Sequence, residues 1–211
     1  EMSAAVEDTW GWDRINADII WPNANASPAV CVVDTGVDGK HKDLSGRVIK
    51  GYDFVNDDPV PEDDNGHGTH VAGTVTAINN NGGTTALGVS NGKVVAVKVL
   101  NAQGWGTSFS IAAGLRFCAN RSDVRIINLS LGGAAVDALE YDALRYAIRE
   151  KGKTVVAAAG NSYSADLLYP AAWGDPDVAA PGGGANEIHK GLISVAQAIV
   201  TGHLHSDHTD A

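Results

Sequence analysis

Ala29-Val30-Cys31-Val32-Val33-Asp34 is the stretch on which the fold turns. Five apolar residues follow one another without a break and end on a carboxylate. A strand with one wet face alternates apolar and polar residues. An unbroken apolar run of this length reads instead as a strand covered on both faces, as in parallel sheets. Residues 94–100, 124–129 and 154–159 are further apolar runs, the first interrupted by Lys98 and the second by Arg125 and Asn128. Helical patterns separate these runs, at 111–119 and, most completely, at 137–151. In the second, Asp137 stands where a cap belongs, Glu140 holds the capping-box position, and Gly152 supplies the stop. Leu139, Ala143, Leu144, Ala147 and Ile148 fall on one helical face. Strands alternating with helices predict an α/β fold: a doubly wound parallel sheet with helices on both faces. Functional groups in such sheets gather past the carboxyl ends of the strands. Asp34, Ser130 and the pair Gly160-Asn161 all occupy such positions.

Composition narrows the classes of function. The chain has 211 residues, 44% hydrophobic and 19% charged, enough for one domain with a substantial core. Its formal net charge of -10 argues against nucleic acid, which needs a basic surface, and leaves room for cation sites. No apolar run approaches the roughly 20 residues of a membrane span, and no leader-like segment opens the sequence. Cys31 lies in a strand-like run and Cys118 in a helix-like one. They read as two buried free thiols, with a disulfide left open.

Asn65-Gly66-His67-Gly68-Thr69-His70-Val71-Ala72-Gly73 carries the chemistry. Val71, Ala72, Val75 and Ile78 have helical spacing, so a buried helix is predicted from about Gly68. His67 then stands at its N-terminus, beside a loop. As a general base it needs a carboxylate to fix its tautomer and stabilise the imidazolium. Asp34, at the end of a buried strand, is a residue of the right kind. Asn161, after a strand of small residues, can donate its side-chain amide to a developing oxyanion.

Val33-Asp34-Thr35-Gly36-Val37, the nine-residue histidine stretch and Ala158-Ala159-Gly160-Asn161, in this order, resemble the subtilisin-like serine proteases, or subtilases. The resemblance runs from about Trp10 to Trp173. It implies a three-layer subtilase core over residues 1–173, with Asp34 as the triad aspartate, His67 as the base and Asn161 as the oxyanion donor. Gly104-Trp105-Gly106 and Ser130-Leu131-Gly132-Gly133 resemble the two segments that hold a polypeptide substrate in extended form by strand addition. Gly132, Gly133 and residues 157–160 would leave an open first pocket, with Trp105 narrowing a neighbouring one. The resemblance also implies a structural Ca²⁺ held by Asp43, Asn80 and Asp8, hard oxygen donors suited to that ion, and a secreted protein. Asp57, Asp58, Glu62, Asp63 and Asp64 form a second acidic loop, read either as a further cation site or as a solvated charge run.

The pattern breaks toward the C-terminus. The Gly-Thr-Ser-Met-Ala setting of the nucleophile is not in the sequence. Gly106-Thr107-Ser108 shares three letters but by order belongs to the following helix. Asp177-Val178-Ala179-Ala180-Pro181-Gly182 resembles the segment that precedes the serine, yet arrives early, as though the strand and loop after Tyr169-Pro170-Ala171 were missing. Counting onward from Gly182 leads to Ser206 as nucleophile candidate. An incomplete C-terminal part predicts an exposed apolar face, so the chain is expected as a monomer or associated through its incomplete core. Residues 174–211 read as an atypical tail. In it His203-Leu204-His205-Ser206-Asp207-His208 resembles the dinuclear zinc motif of metallo-β-lactamase-fold hydrolases, with His203 and His205 on one metal and Asp207 and His208 on a second. Three functions follow: a subtilisin-type endopeptidase, an inactive or non-catalytic peptide-binding relative, and a metal-dependent hydrolase run by the tail.

Overall fold

The computed structural model describes residues 15–20, 28–78, 88–161, 167–175, 177, 180–183 and 185–195. Six parallel strands form one sheet in the order β2-β3-β1-β4-β5-β6. They are β1 (Ala29–Asp34), β2 (Val48–Asp53), β3 (Val94–Lys98), β4 (Val124–Leu129), β5 (Thr154–Ala158) and β6 (Leu192–Val195). The unbroken apolar run that opens the reading is central, with β3 on one side and β4 on the other. Its neighbours in chain order flank it from both directions, which is the doubly wound arrangement.

Alternate residues of the central strands serve opposite faces. Val32, Val94 and Ala96 pack with Ala72 of α1 (His67–Thr76) and with Val37 and Leu44. Cys31, Val33, Val95 and Val97 face the other way, into the larger core. There they meet Leu115 and Cys118 of α2 (Ser108–Asn120) and Ala143 and Leu144 of α3 (Ala138–Arg145). Helices therefore cover both faces.

Three local expectations change. Cys31 and Cys118 are joined in a disulfide across 87 residues. The free-thiol reading fails because the side chains of β1 on this face point at α2, a proximity that no spacing along the chain reveals. Asp137 does cap α3, accepting from the N–H groups of Leu139 and Glu140 at 2.9 and 3.0 Å. Glu140 makes no capping box; its Oε1 is buried without a hydrogen-bond partner. Leu139 leaves the apolar face and is 55% exposed. α3 runs on as a π-helical turn, Tyr146–Glu150, and Gly152 follows with φ of +63°.

Beyond residue 173 the chain continues into this core. Ile188 and Leu192 are buried, and β6 pairs in register with β5 from Val155↔Leu192 to Ala158↔Val195. A sixth strand thus forms after residues 177–182, in the part of the chain expected to be an atypical tail. Ile193 and Val195 on this last strand are exposed.

Candidate functional site

Asp34 ends β1 at the middle of the sheet and is fully buried. Its carbonyl accepts from the N–H groups of Val99 and Leu100, where the chain leaves β3, at 2.8 and 3.1 Å. Its Oδ1 accepts from the Thr35 N–H and from His67 Nδ1, each at 2.7 Å. His67 is the first residue of α1, and its side chain is 48% exposed, so the ring spans a buried carboxylate and open solvent. The Asp34 hydrogen bond and charge raise the imidazole above its usual 6.5, burial opposing them. With Nδ1–H donating to Asp34, Nε2 is the free nitrogen.

Two glycines permit this approach. At Gly68 a Cβ would lie 2.1 Å from the Gly36 carbonyl oxygen and 3.2 Å from Asp34 Cβ. Gly36, at φ of +105°, has backbone carbonyls of Pro61 and Glu62 where a Cβ would go. The histidine helix can therefore sit directly against the end of β1 only if Gly68 lacks a side chain, and Gly36 must lack one for the chain at Pro61 and Glu62 to pass.

Residues the sequence reading passed over hold the histidine loop. Asp63, placed among an acidic run, accepts from the N–H groups of Asn65, Gly66 and Thr69 at 2.9 to 3.0 Å. It also accepts from the hydroxyls of Thr35 at 2.8 Å and Thr69 at 2.5 Å. Burial works against its charge, but the bonds from Thr69, Gly66 and Asn65 outweigh that and hold the carboxyl at about 2. Thr35 in turn accepts from the Gly68 N–H at 2.9 Å. Lys98, in register with Asp34 and almost fully buried, donates to the Thr35 and Leu100 carbonyls and to Asp64 at 2.6 to 2.8 Å. Asp63 before a helix start is a capping signal, and Lys98 inside an apolar run signals a partnered buried charge. Thr35 leaves no such trace.

The acidic loop is thus neither one cation site nor a bare charge run. Asp57 accepts from Tyr52, Glu62 pairs with Lys40, Asp63 caps, and Asp64 meets Lys98. Among the described residues no group of three or more His, Cys, Asp or Glu is placed to hold a metal ion.

A cleft of about 650 Å³ runs past His67 between the two expected substrate segments. Gly104, Trp105 and Gly106 line one side and Ser130, Leu131 and Gly132 the other. The first segment is a turn held by Asn101, whose side chain accepts from the Gln103 and Trp105 N–H groups, each at 3.0 Å. Asn65 ties that turn to the histidine loop by donating to the Ala102 carbonyl at 2.9 Å. The second segment continues β4 and is bridged to Tyr169 through paired bonds at Gly133 of 2.9 and 2.8 Å. Trp105 is largely exposed on the rim.

Asn161 lines a smaller cavity of about 450 Å³ that shares the Ser130–Leu131–Gly132 wall with the main cleft. Leu168 also lines this cavity. A Cβ on Gly160 would lie 2.9 Å from Leu168 Cγ, and one on Gly132 3.0 Å from Leu168 Cβ. The space that these small residues open is therefore partly taken by leucine. Thr107 caps α2 in a full capping box with Ser110, which makes Ser108 a helix residue. Asp43 is buried on a single 3₁₀ turn, and its carbonyl accepts from the Ile78 N–H at 2.8 Å, just before residue 79. Asp8, Asn80, His203, His205, Ser206, Asp207 and His208 lie outside the described residues.

Comparison with known proteins identifies the family. The family model described as the subtilase family, Peptidase_S8, matches residues 25–206. The chain is 40% identical over 163 residues to thermitase of Thermoactinomyces vulgaris, covering 77% of this chain and 58% of that protein. It is 42% identical over 166 residues to a thermophilic serine proteinase of Bacillus sp. (strain AK1), covering 78% and 41%. Among solved structures, the S41 psychrophilic protease superposes with a TM-score of 0.67 at 31% identity, covering 84% of this chain and 60% of that one. The chain thus spans about half of the length of the relatives it matches.

Proposed function

This chain belongs to the subtilase family, and from that premise we propose that the full-length protein is a serine endopeptidase that binds polypeptides in extended form. One observation carries the reading: the 2.7 Å bond from His67 Nδ1 to a fully buried Asp34, with the imidazole opening on a cleft walled by both substrate segments. That arrangement is a base and its orienting carboxylate awaiting a hydroxyl.

The chemistry proceeds by acyl transfer. A serine hydroxyl passes its proton to His67 Nε2 as its oxygen bonds to the scissile carbonyl carbon. Asp34 stabilises the imidazolium so formed. The carbonyl oxygen takes the negative charge and accepts from the Asn161 side-chain amide. His67 then returns the proton to the departing amine as the C–N bond breaks, and water repeats the sequence to free the acid. Gly104, Trp105 and Gly106 on one side and Ser130, Leu131 and Gly132 on the other hold the peptide main chain. Ser206 is the nucleophile candidate within this sequence.

A structural Ca²⁺ belongs to the same reading. Asp43 would hold it with Asp8 and Asn80. The Asp43 carboxylate is buried on its 3₁₀ turn, and a carboxylate is a hard oxygen donor of the kind that suits such a cation. Export is also proposed, and the Cys31–Cys118 disulfide supports it, since such bonds persist in oxidising compartments. No described helix is long and apolar enough to cross a membrane. The zinc reading of His203, His205, Asp207 and His208 gains nothing from these observations and forms no part of the proposal.

The test is covalent labelling of the full-length protein with a fluorophosphonate probe, followed by mapping of the modified peptide. Labelling of one serine, abolished by His67→Ala, is the expected result and names the nucleophile. A folded protein that takes no label overturns the endopeptidase reading and leaves a non-catalytic peptide binder.

A further inference from the structure

The main cleft is lined by a carboxylate that the proposed chemistry does not use. Glu140 lines the cleft at the first turn of α3 yet is only 7% exposed. Its Oε1 has no hydrogen-bond partner. The helix start does not need it, because Asp137 already accepts from the Leu139 and Glu140 N–H groups. No lysine or arginine is among the described residues that line the cleft. Burial, with the Asp137 charge added, pushes the Glu140 carboxyl up to about 7.

An acid in this state is expensive to keep. A buried carboxylate without donors loses its hydration and gains nothing in return, and replacing it with an apolar residue normally stabilises a protein. Its place on a cleft wall supplies the compensation that the fold lacks: a donor arriving from outside. Ser108, Ile111, Ala134 and Ala135 line the same cleft. These are short or apolar walls, suited to the methylene stem of a long basic side chain whose head reaches a carboxylate. Asp137, half-exposed and hydrogen-bonded by Ser108, adds a second negative charge beside it.

We infer that Glu140, with Asp137 beside it, receives the cationic head of an arginine or lysine side chain of the extended peptide that lies in the cleft. The inference rests on the peptidase reading and adds a specificity that the family membership does not supply. Glu140 acts in recognition and takes no part in the chemical step. A guanidinium is the better occupant, since it can engage a carboxylate with two parallel N–H donors.

The experiment uses the full-length protein and pairs of otherwise identical peptides. Each pair carries arginine or norleucine, an uncharged residue of similar length, at one position in turn along the peptide. The expected result is a preference for arginine at one position of about tenfold or more in kcat/KM, falling to near unity in Glu140→Gln. The ratio is read within one variant, so a general loss of fold cannot imitate it. Thermal unfolding of Glu140→Gln and Glu140→Leu checks the fold directly. Equal cleavage of all pairs, or a preference that survives Glu140→Gln, overturns the inference while the peptidase reading stands. Failure to cleave any peptide overturns that reading, and this inference falls with it.

Discussion

Asp63 and Glu140 are acidic residues near the start of two helices of one sheet, and the fold treats them in opposite ways. Asp63 has five donors, three backbone N–H groups and two hydroxyls, and is held at about 2. Glu140 is the more deeply buried and reaches about 7, because Asp137 has taken the backbone donors of its helix. Burial disfavours charge at both sites; the number of donors decides the outcome. The first region is locked, and what it locks is the loop that presents His67 to Asp34. The second region is left unsatisfied at a cleft wall, where a ligand can complete it. Rigidity around the base and an open requirement on the wall are the two things a peptide-cleaving cleft needs from its supporting residues.

The comparison can be broken first at what the locked region holds. His67→Ala is expected to lower kcat/KM on a chromogenic peptide by about 10⁴-fold or more, a magnitude taken from triad enzymes in general, with an unchanged circular dichroism spectrum. If activity survives, the lock around the histidine serves packing and not catalysis.

Removing the lock itself has the next largest effect. Asp63→Ala is expected to cost about 2–3 kcal/mol in urea unfolding, through a lost cap and several hydrogen bonds to a charged group. The folded carboxyl lies near 2, below its usual 3.8. It therefore contributes stability that is present above about pH 4 and lost as pH falls toward 2. A wild-type and Asp63→Asn pair whose acid unfolding curves coincide would remove Asp63 from this account.

At the open site the sign reverses. Glu140 is held near 7, above its usual 4.5, so ionisation opposes folding. Its penalty is absent below about pH 4.5 and grows until pH passes 7. Glu140→Gln is expected to gain about 1–2 kcal/mol at pH 8 and little at pH 4. A loss of stability at pH 8 would mean that the carboxylate has an internal partner after all.

The smallest effect sharpens the contrast without breaking it. Pairing with Asp34 favours the protonated imidazole, so the neutral base appears only as pH rises past a value above 6.5. The acid limb of the kcat/KM profile should lie above that value. A limb at or below 6.5 would contradict the Asp34–His67 bond.

Much of the site was legible in the chain because it is written in residue types that have few alternatives. An unbroken apolar run ending on Asp34 reads as a central strand, since only a sheet covered on both faces hides five consecutive apolar side chains. Gly66-His67-Gly68 before a helical period reads as a histidine at a helix start. The segments 104–106 and 130–132 follow from the resemblance to the subtilases. Asp63 is legible only as part of an acidic loop and Lys98 shows no role, because their partners, Thr35 and Thr69 for one and the Thr35 and Leu100 carbonyls for the other, are brought to them by folding.

By itself, then, the sequence determined the α/β class, because local period carries it, and through its resemblance to the subtilases it pointed to Asp34 and His67 as partners. Tertiary structure alone decided that Cys31 and Cys118 join, that β6 comes from residues 192–195, and that Glu140 lies buried on a cleft wall instead of closing a capping box. Each of these depends on which face of one element meets another. Such contacts between residues distant in the chain are set by packing the sheet and its helices together, and no local pattern records them.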